Sequence, residues 1–278
     1  MIQDIGSHKL HNEFIAGKVA SPGDPVFVFD GTTCLVKIVN GELILPTAAE
    51  LGAGEYNFLF ALDDTDHYRA APPVVKAPEG FAFESVHAIR KHGTGPREKM
   101  FALYTAYHLD KWYKDSAYCG RCGSRTSNST TERARVCPVC GNVIYPRINP
   151  AVIVGIRNGE KILVTKYAHR DHIPYFALVA GFTEIGETLE ETVAREVYEE
   201  VGLKVKNITY YKSQPWGRAG DLLVGFFCEV DGDDTIRMDP GELKVAMWAT
   251  REEIELQPDD YSLTNEMMMV FKNHQLVL

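Results

Sequence analysis

At 278 residues, 45% apolar and 24% charged, the chain is long enough for two or three cored domains and too apolar for a disordered one. A net charge of −9 excludes a broad basic face that grips nucleic-acid backbone, while leaving recognition of a single nucleotide end open. No run approaches 18 apolar residues, and MIQDIGSHKLHNEF has no basic stretch leading into an apolar core. Neither a membrane span nor a signal peptide is expected, and a cytoplasmic protein is.

Residues 1–93 hold short apolar runs divided by turn signals: VFVFDG, CLVKIVNGELIL and YNFLFALDD. Asn40-Gly41 between two such runs predicts a hairpin. A small α+β domain is expected, closing near APPVVKAPEG and KHGTGP. A linker follows over 94–117, with a helix over 96–114. Pro96 suits a first turn, Glu98 favours the positive helix end, and Met100, Leu103, Tyr104, Tyr107 and Lys111 fall at helical spacing.

Residues 118–147 carry CGRC, fourteen residues, then CPVC. Two C-x2-C pairs, each followed by a glycine that eases a tight turn, present Cys119, Cys122, Cys137 and Cys140 at zinc-ribbon spacing. Four thiolates close the coordination sphere, so a structural Zn²⁺ is expected. Cys34 and Cys228 lie alone in apolar surroundings and are expected in cores.

From 148 to 278 strands and helices mix. AVIVGI and KILVTKY flank Asn158-Gly159, a second hairpin signal. After His169-Arg170-Asp171-His172, expected as a polar loop, come the strand FALVAGF and an acidic helix over about 188–201. KVKNITYYKSQ, DLLVGFFCEV and VAMWAT read as further strands, and SLTNEMMMVFKNH as a helix.

The acidic helix poses a physical problem. Glu196, Glu199 and Glu200 crowd one side of it, and like charges at helical spacing weaken a helix by a few tenths of a kcal/mol per pair, about 0.2–0.5. Leu189, Val193, Val197 and Val201 form an apolar stripe that seats it on a sheet. A divalent cation resolves the repulsion, since hard carboxylate oxygens suit Mg²⁺ or Mn²⁺.

Residues 181–203, GFTEIGETLEETVAREVYEEVGL, resemble the Nudix box at its fixed positions: Gly181, Glu187, Arg195, Glu196, Val197, Glu199, Glu200, Gly202 and Leu203. With the cysteine module upstream and a further N-terminal region, the layout is similar to the NADH pyrophosphatase family, some of whose members decap NAD-capped RNA. The fold implied is α+β: a C-terminal Nudix α/β/α sandwich on a mixed sheet, a central zinc ribbon and a small N-terminal α+β domain. The activity implied is Mg²⁺- or Mn²⁺-dependent hydrolysis of NADH or NAD⁺ to AMP and nicotinamide mononucleotide by a homodimer.

The resemblance also carries over residues. Glu196, Glu199 and Glu200 in the box, Glu242 in DPGEL and the Ala180 carbonyl in VAGF correspond to metal ligands. Arg195 and Glu187 are expected as an ion pair supporting the catalytic helix, and Gly181 and Gly202 as turn residues. Glu199 is the candidate general base. Glu132, Tyr145, Phe182, Gln214, Trp216, Asp221 and Thr264 stand at substrate-contacting positions. The family's SQPW is intact at Ser213–Trp216, but its following PFPxS is replaced: the chain reads GRAGD, with Asp221 in place of the final serine. That departure leaves NADPH, ADP-ribose, FAD or a dinucleoside polyphosphate as alternative substrates, Arg218 adding a charge suited to an extra phosphate. A noncatalytic nucleotide sensor is the alternative from another class.

Overall fold

The computed structural model describes residues 1–72, 77–91, 95–169 and 175–275. Arg170, Asp171 and His172 of the expected polar loop lie outside these, as do Gly93 and Thr94 at the expected first boundary. The chain divides into two compact units: Ile2–Arg147 with Gly217–Ala219, and Met1 with Ile148–Trp216 and the chain from Gly220 onward.

In the first unit, the apolar runs build two small sheets. One runs in the order Leu10–His11, Tyr56–Leu62, Thr65–Ala70, Val26–Phe27. In the other, Thr33–Val39 pairs with Phe29–Asp30, Glu42–Ile44 and Ala82–Ser85. The Asn40-Gly41 hairpin forms, with φ of 52° and 80°, as a turn with two left-handed residues requires. Helix Arg97–Asp115 begins one residue after Pro96 and buries Met100, Leu103, Tyr104 and Trp112. Asp110 on its inner face accepts a 2.8 Å hydrogen bond from Arg69 Nε, both side chains being only 4% exposed. Arg69 also donates to Asn57 and lies 4.8 Å over the Tyr113 ring. These partners explain how TDHYRA, a polar sequence, becomes an inner strand.

The cysteine module forms three short antiparallel strands, Ser127–Asn128, Arg135–Val136 and Val143–Ile144. Each C-x2-C pair turns on a backbone hydrogen bond, from Gly123 N to Cys119 O and from Gly141 N to Cys137 O.

The second unit is built on a six-stranded mixed sheet. Its order is Val205–Trp216, Asp221–Val230, Asn149–Asn158, Lys161–Tyr167, Leu243–Thr250, with Val179–Phe182 paired to the first half of Asn149–Asn158. Asn149–Asn158 runs parallel to Asp221–Val230; the remaining pairings are antiparallel. Alternation along the central strand sends Val152, Val154 and Ile156 to one face and Ile153 to the other. Helix Leu189–Val201 covers the first face through Val193, Val197 and Val201, all fully buried, as the apolar stripe predicts. Helix Leu263–Lys272 covers the second through Leu263, Met267, Met268 and Phe271. The unit is thus a helix–sheet–helix sandwich, and both isolated cysteines, Cys34 and Cys228, are buried. No helix among the described residues is long and apolar enough to cross a membrane.

Candidate active site

Local chemistry fixes the acidic helix at both ends. Thr188 caps it, accepting from Glu191 N while the Glu191 carboxylate accepts from Thr188 N. Gly202 ends it in the left-handed conformation at φ 70°, as a turn glycine should, and a Cβ there would lie 2.8 Å from Arg237 Cβ.

Arg195 organises the cluster. It donates five hydrogen bonds, the full capacity of a guanidinium. Nε and Nη2 grip the two Glu187 oxygens at 2.6 and 2.8 Å, Nη1 reaches Glu196 at 2.7 Å and Glu199 at 3.0 Å, and Nη2 also reaches the Phe182 carbonyl at 2.9 Å. The expected Glu187–Arg195 pair therefore forms and extends to the helix carboxylates. Arg195, with hydrogen bonds from Glu184 N and the buried Thr192 hydroxyl, holds the Glu187 carboxyl down at about 2. A depressed carboxyl stabilises the fold above its unfolded value and loses that contribution as pH falls through the folded one. Glu187→Gln is accordingly expected to lower Tm at pH 7, with the deficit shrinking from about pH 4.5 toward 2; thermal melts across that range check it, and a deficit that stays constant contradicts it.

Gly181 departs from expectation. It occupies no turn but lies within strand Val179–Phe182, opposite Val152. A Cβ at this position would sit 1.9–2.3 Å from the Glu196 carboxylate atoms. The strand must lack a side chain there for Glu196 to lie against it. Gly181→Ala is expected to push that carboxylate aside and lower turnover about 10²-fold, the effect of an ångström-scale displacement. Steady-state kinetics, with Tm as the fold control, test this; full activity would mean Glu196 works from elsewhere.

Glu200 sits deeper. It is 2% exposed, and its Oε2 has no hydrogen-bond partner. Burial, then the charges of Glu242 and Glu196, push its carboxyl up to about 8, against a backbone hydrogen bond from Ala180. Burial likewise raises Glu196, opposed by Arg195. Glu242 itself is exposed, on the turn where Asp239 O accepts from its backbone N. A buried carboxyl oxygen without a donor, beside further carboxylates, suits a divalent cation: the ligands are hard oxygens, and the five donors of Arg195 go to Glu187, Glu196, Glu199 and Phe182, leaving Glu200 Oε2 without one. Glu196, Glu199, Glu200 and Glu242 do not draw together as tightly as the cysteines, which among the described residues are the group whose ligand atoms lie within 4.8 Å of one another.

The four thiols fit zinc. Cys119 and Cys140 Sγ lie 3.6 Å apart, Cys122 and Cys137 Sγ 3.5 Å. A tetrahedron with Zn–S bonds of about 2.3 Å has edges of about 3.8 Å, so this set closes on a structural Zn²⁺ with no open position. Backbone Arg121 N and the Asn142 amide also point at Cys119 Sγ, at 3.4 and 3.7 Å, stabilising a thiolate.

Expected substrate contacts divide into three kinds. In the second unit Phe182 is 56% exposed and Trp216 and Thr264 are half-buried. In the ribbon-bearing unit, the exposed Tyr145 hydroxyl donates to Glu132 at 3.1 Å. Gln214 and Asp221 are instead buried. Gln214 is wholly buried, its amide donating to Tyr261 O at 2.7 Å and accepting from Leu263 N at 2.8 Å, so its side chain ties the strand to the following helix. Asp221 is also buried, beside Asn149. Both side chains are engaged within the scaffold in this structure. Thr192, which orients Glu187, and Asp239, which adds negative charge beside Glu200, were not anticipated; only the position of Thr192 inside the box could have signalled either.

The model of the NUDIX domain matches residues 147–268, and that of the NADH pyrophosphatase zinc ribbon domain residues 114–145. The NAD-capped RNA hydrolases NudC of Escherichia coli O9:H4 (strain HS) and of Escherichia fergusonii are each 42% identical over 151 residues, 54% of this chain and 58% of theirs. The match thus spans somewhat over half the length of these relatives. A NUDIX hydrolase structure from Nitrosomonas europaea is 20% identical with a TM-score of 0.48, over 57% of this chain and 92% of that one. Residues 147–268 thus match a NUDIX domain, preceded over 114–145 by an NADH pyrophosphatase zinc ribbon domain.

Proposed function

We propose that this protein hydrolyses the diphosphate of NADH and NAD⁺ to AMP and nicotinamide mononucleotide, and that it removes NAD caps from RNA. The buried, partnerless Glu200 oxygen amid Glu196, Glu242 and Asp239 carries the reading, because this cluster calls for divalent cations where a diphosphate would bind. Mg²⁺ or Mn²⁺ bound there supplies Lewis acidity toward water and the diphosphate oxygens. Glu196, Glu200, Glu242 and the Ala180 carbonyl are the residues to hold it. Arg195 keeps Glu196 and Glu199 aligned on one helix face.

Water attacks one phosphorus, the bridging P–O bond breaks, and the two mononucleotides separate. Glu199, more exposed than Glu196 and Glu200, is the proposed acceptor of the water's proton. Phe182 and Trp216 offer rings to the base or nicotinamide and Thr264 a polar contact; for Tyr145 and Glu132 the family resemblance alone suggests a substrate role. A cytoplasmic homodimer completes the reading. A second reading rests on Arg218, a positive charge in the segment that departs from PFPxS, and makes NADPH the preferred substrate.

Turnover on NADH, NAD⁺, NADPH, ADP-ribose, FAD and NAD-capped RNA, each with Mg²⁺ and Mn²⁺, decides among these. NADH or NAD⁺ is expected to lead. NADPH in first place supports the second reading, and tight binding without hydrolysis on every compound would make the protein a sensor.

A further inference from the structure

The first unit holds a cavity of about 730 Å³ that the diphosphatase reading does not use. That volume lies in the range of small-ligand pockets, about 300–1,000 Å³. Its walls come from the segment Phe14–Ala20, the loop Gly52–Gly54, strand residues Tyr56–Phe58, the end of the long helix at Tyr113, and the ribbon at Asn128–Thr130 and Ala134.

Three features of the walls define a ligand. Four aromatic rings, Phe14, Tyr56, Phe58 and Tyr113, supply flat apolar surface. Asn57, Asn128, Ser129 and Thr130 supply amides and hydroxyls that both donate and accept, the complement of a sugar. The charge beside them is positive. Lys18 lines the cavity but is matched by Asp66 at 2.6 Å, with its ammonium 4.7 Å over the Phe58 ring, so the unmatched charge comes from the arginines behind it. Behind Ala134 stand Arg133 and Arg135, whose hydrogen bonds go to neutral oxygens. Arg133 donates to Leu59 O at 2.6 Å and Asn12 O at 3.3 Å, and Arg135 to Thr126 and to the Asn128 amide that lines the cavity. Arg133 Nη1 is buried with no partner. Glu55 is the acid that acts on Tyr113, against Arg133, Arg69 and Arg135; Arg69 is neutralised by Asp110.

We propose that this cavity is a second ligand site that binds a nucleoside monophosphate, ring against the aromatic wall, ribose among the amides and hydroxyls, and phosphate toward Lys18 and the arginines behind Ala134. Neither the acidic helix nor its metal enters the site.

Photolabelling of the full-length protein with 8-azido-AMP tests it, with labelled positions mapped by peptide mass spectrometry. Labelling is expected within Phe14–Ala20, at Tyr113 or within Asn128–Ala134, competed by excess AMP and not by ribose 5-phosphate. The double variant Phe14→Ala, Lys18→Met should reduce labelling there at least tenfold while zinc content and NADH turnover stay at wild-type values. Labelling confined to residues 147–268, or competed equally by ribose 5-phosphate, overturns the proposal. Neither outcome touches the diphosphatase reading, which stands or falls on NADH turnover.

Discussion

Glu200→Gln is expected to lower NADH turnover by about 10³-fold or more, about 4 kcal/mol of activation free energy, while leaving Tm in the presence of chelator unchanged or higher. The two effects have opposite signs for one reason. Glu200 is buried without a donor for Oε2 and faces Glu196, Glu242 and Asp239, so ionising it opposes the fold unless a cation compensates the charge. The amide keeps the shape and removes the charge. Stability therefore gains or holds, whereas the affinity for Mg²⁺ or Mn²⁺ falls. Kinetics, a Mn²⁺ titration and melts in chelator measure the three quantities. A variant that loses Tm together with activity would place Glu200 among structural groups instead.

Cys137→Ser is expected to act in the other direction, on the fold first. Cys137 is 1% exposed and lies 3.5 Å from Cys122 Sγ. Structural zinc sites contribute apparent binding free energies of about 10–16 kcal/mol, far more than three two-residue strands can supply by pairing. Zinc content should fall from one per chain to below about a tenth, and residues 116–147 should become sensitive to protease. The loss should spread, because Arg133 in this module donates to Leu59 O and Asn12 O of the neighbouring sheet and segment. Elemental analysis and limited proteolysis check this. Retained zinc with an intact cleavage pattern would mean three thiolates suffice.

What the sequence makes legible is what local spacing encodes. The two Asn-Gly hairpins, the cysteine module and the acidic helix each depend on residues within a few positions of one another, and each forms where expected. The carboxylate crowding read as costly in the helix is answered in part by Arg195, one residue ahead of Glu196, while burial of Glu200 adds to the cost. What escapes is what depends on distant partners. Strand Thr65–Ala70 looks polar until Asp110, forty-one residues beyond Arg69, is brought beside it. Gln214 reads as a ligand contact because it stands in the SQPW segment of the resemblance. Only the fold shows both ends of its amide taken by Tyr261 and Leu263. Gly181 was legible as a required glycine, and its cause, the Glu196 carboxylate across the strand, was not.

Product analysis of NADH incubated with wild-type protein and with the Glu200→Gln variant tests the central claim most directly. With Mg²⁺ or Mn²⁺ the wild type should release AMP and reduced nicotinamide mononucleotide in equal amounts, with none formed in chelator and about a thousandth of the rate in the variant. Equal rates for the two proteins, or NADH bound and recovered intact from both, would contradict it.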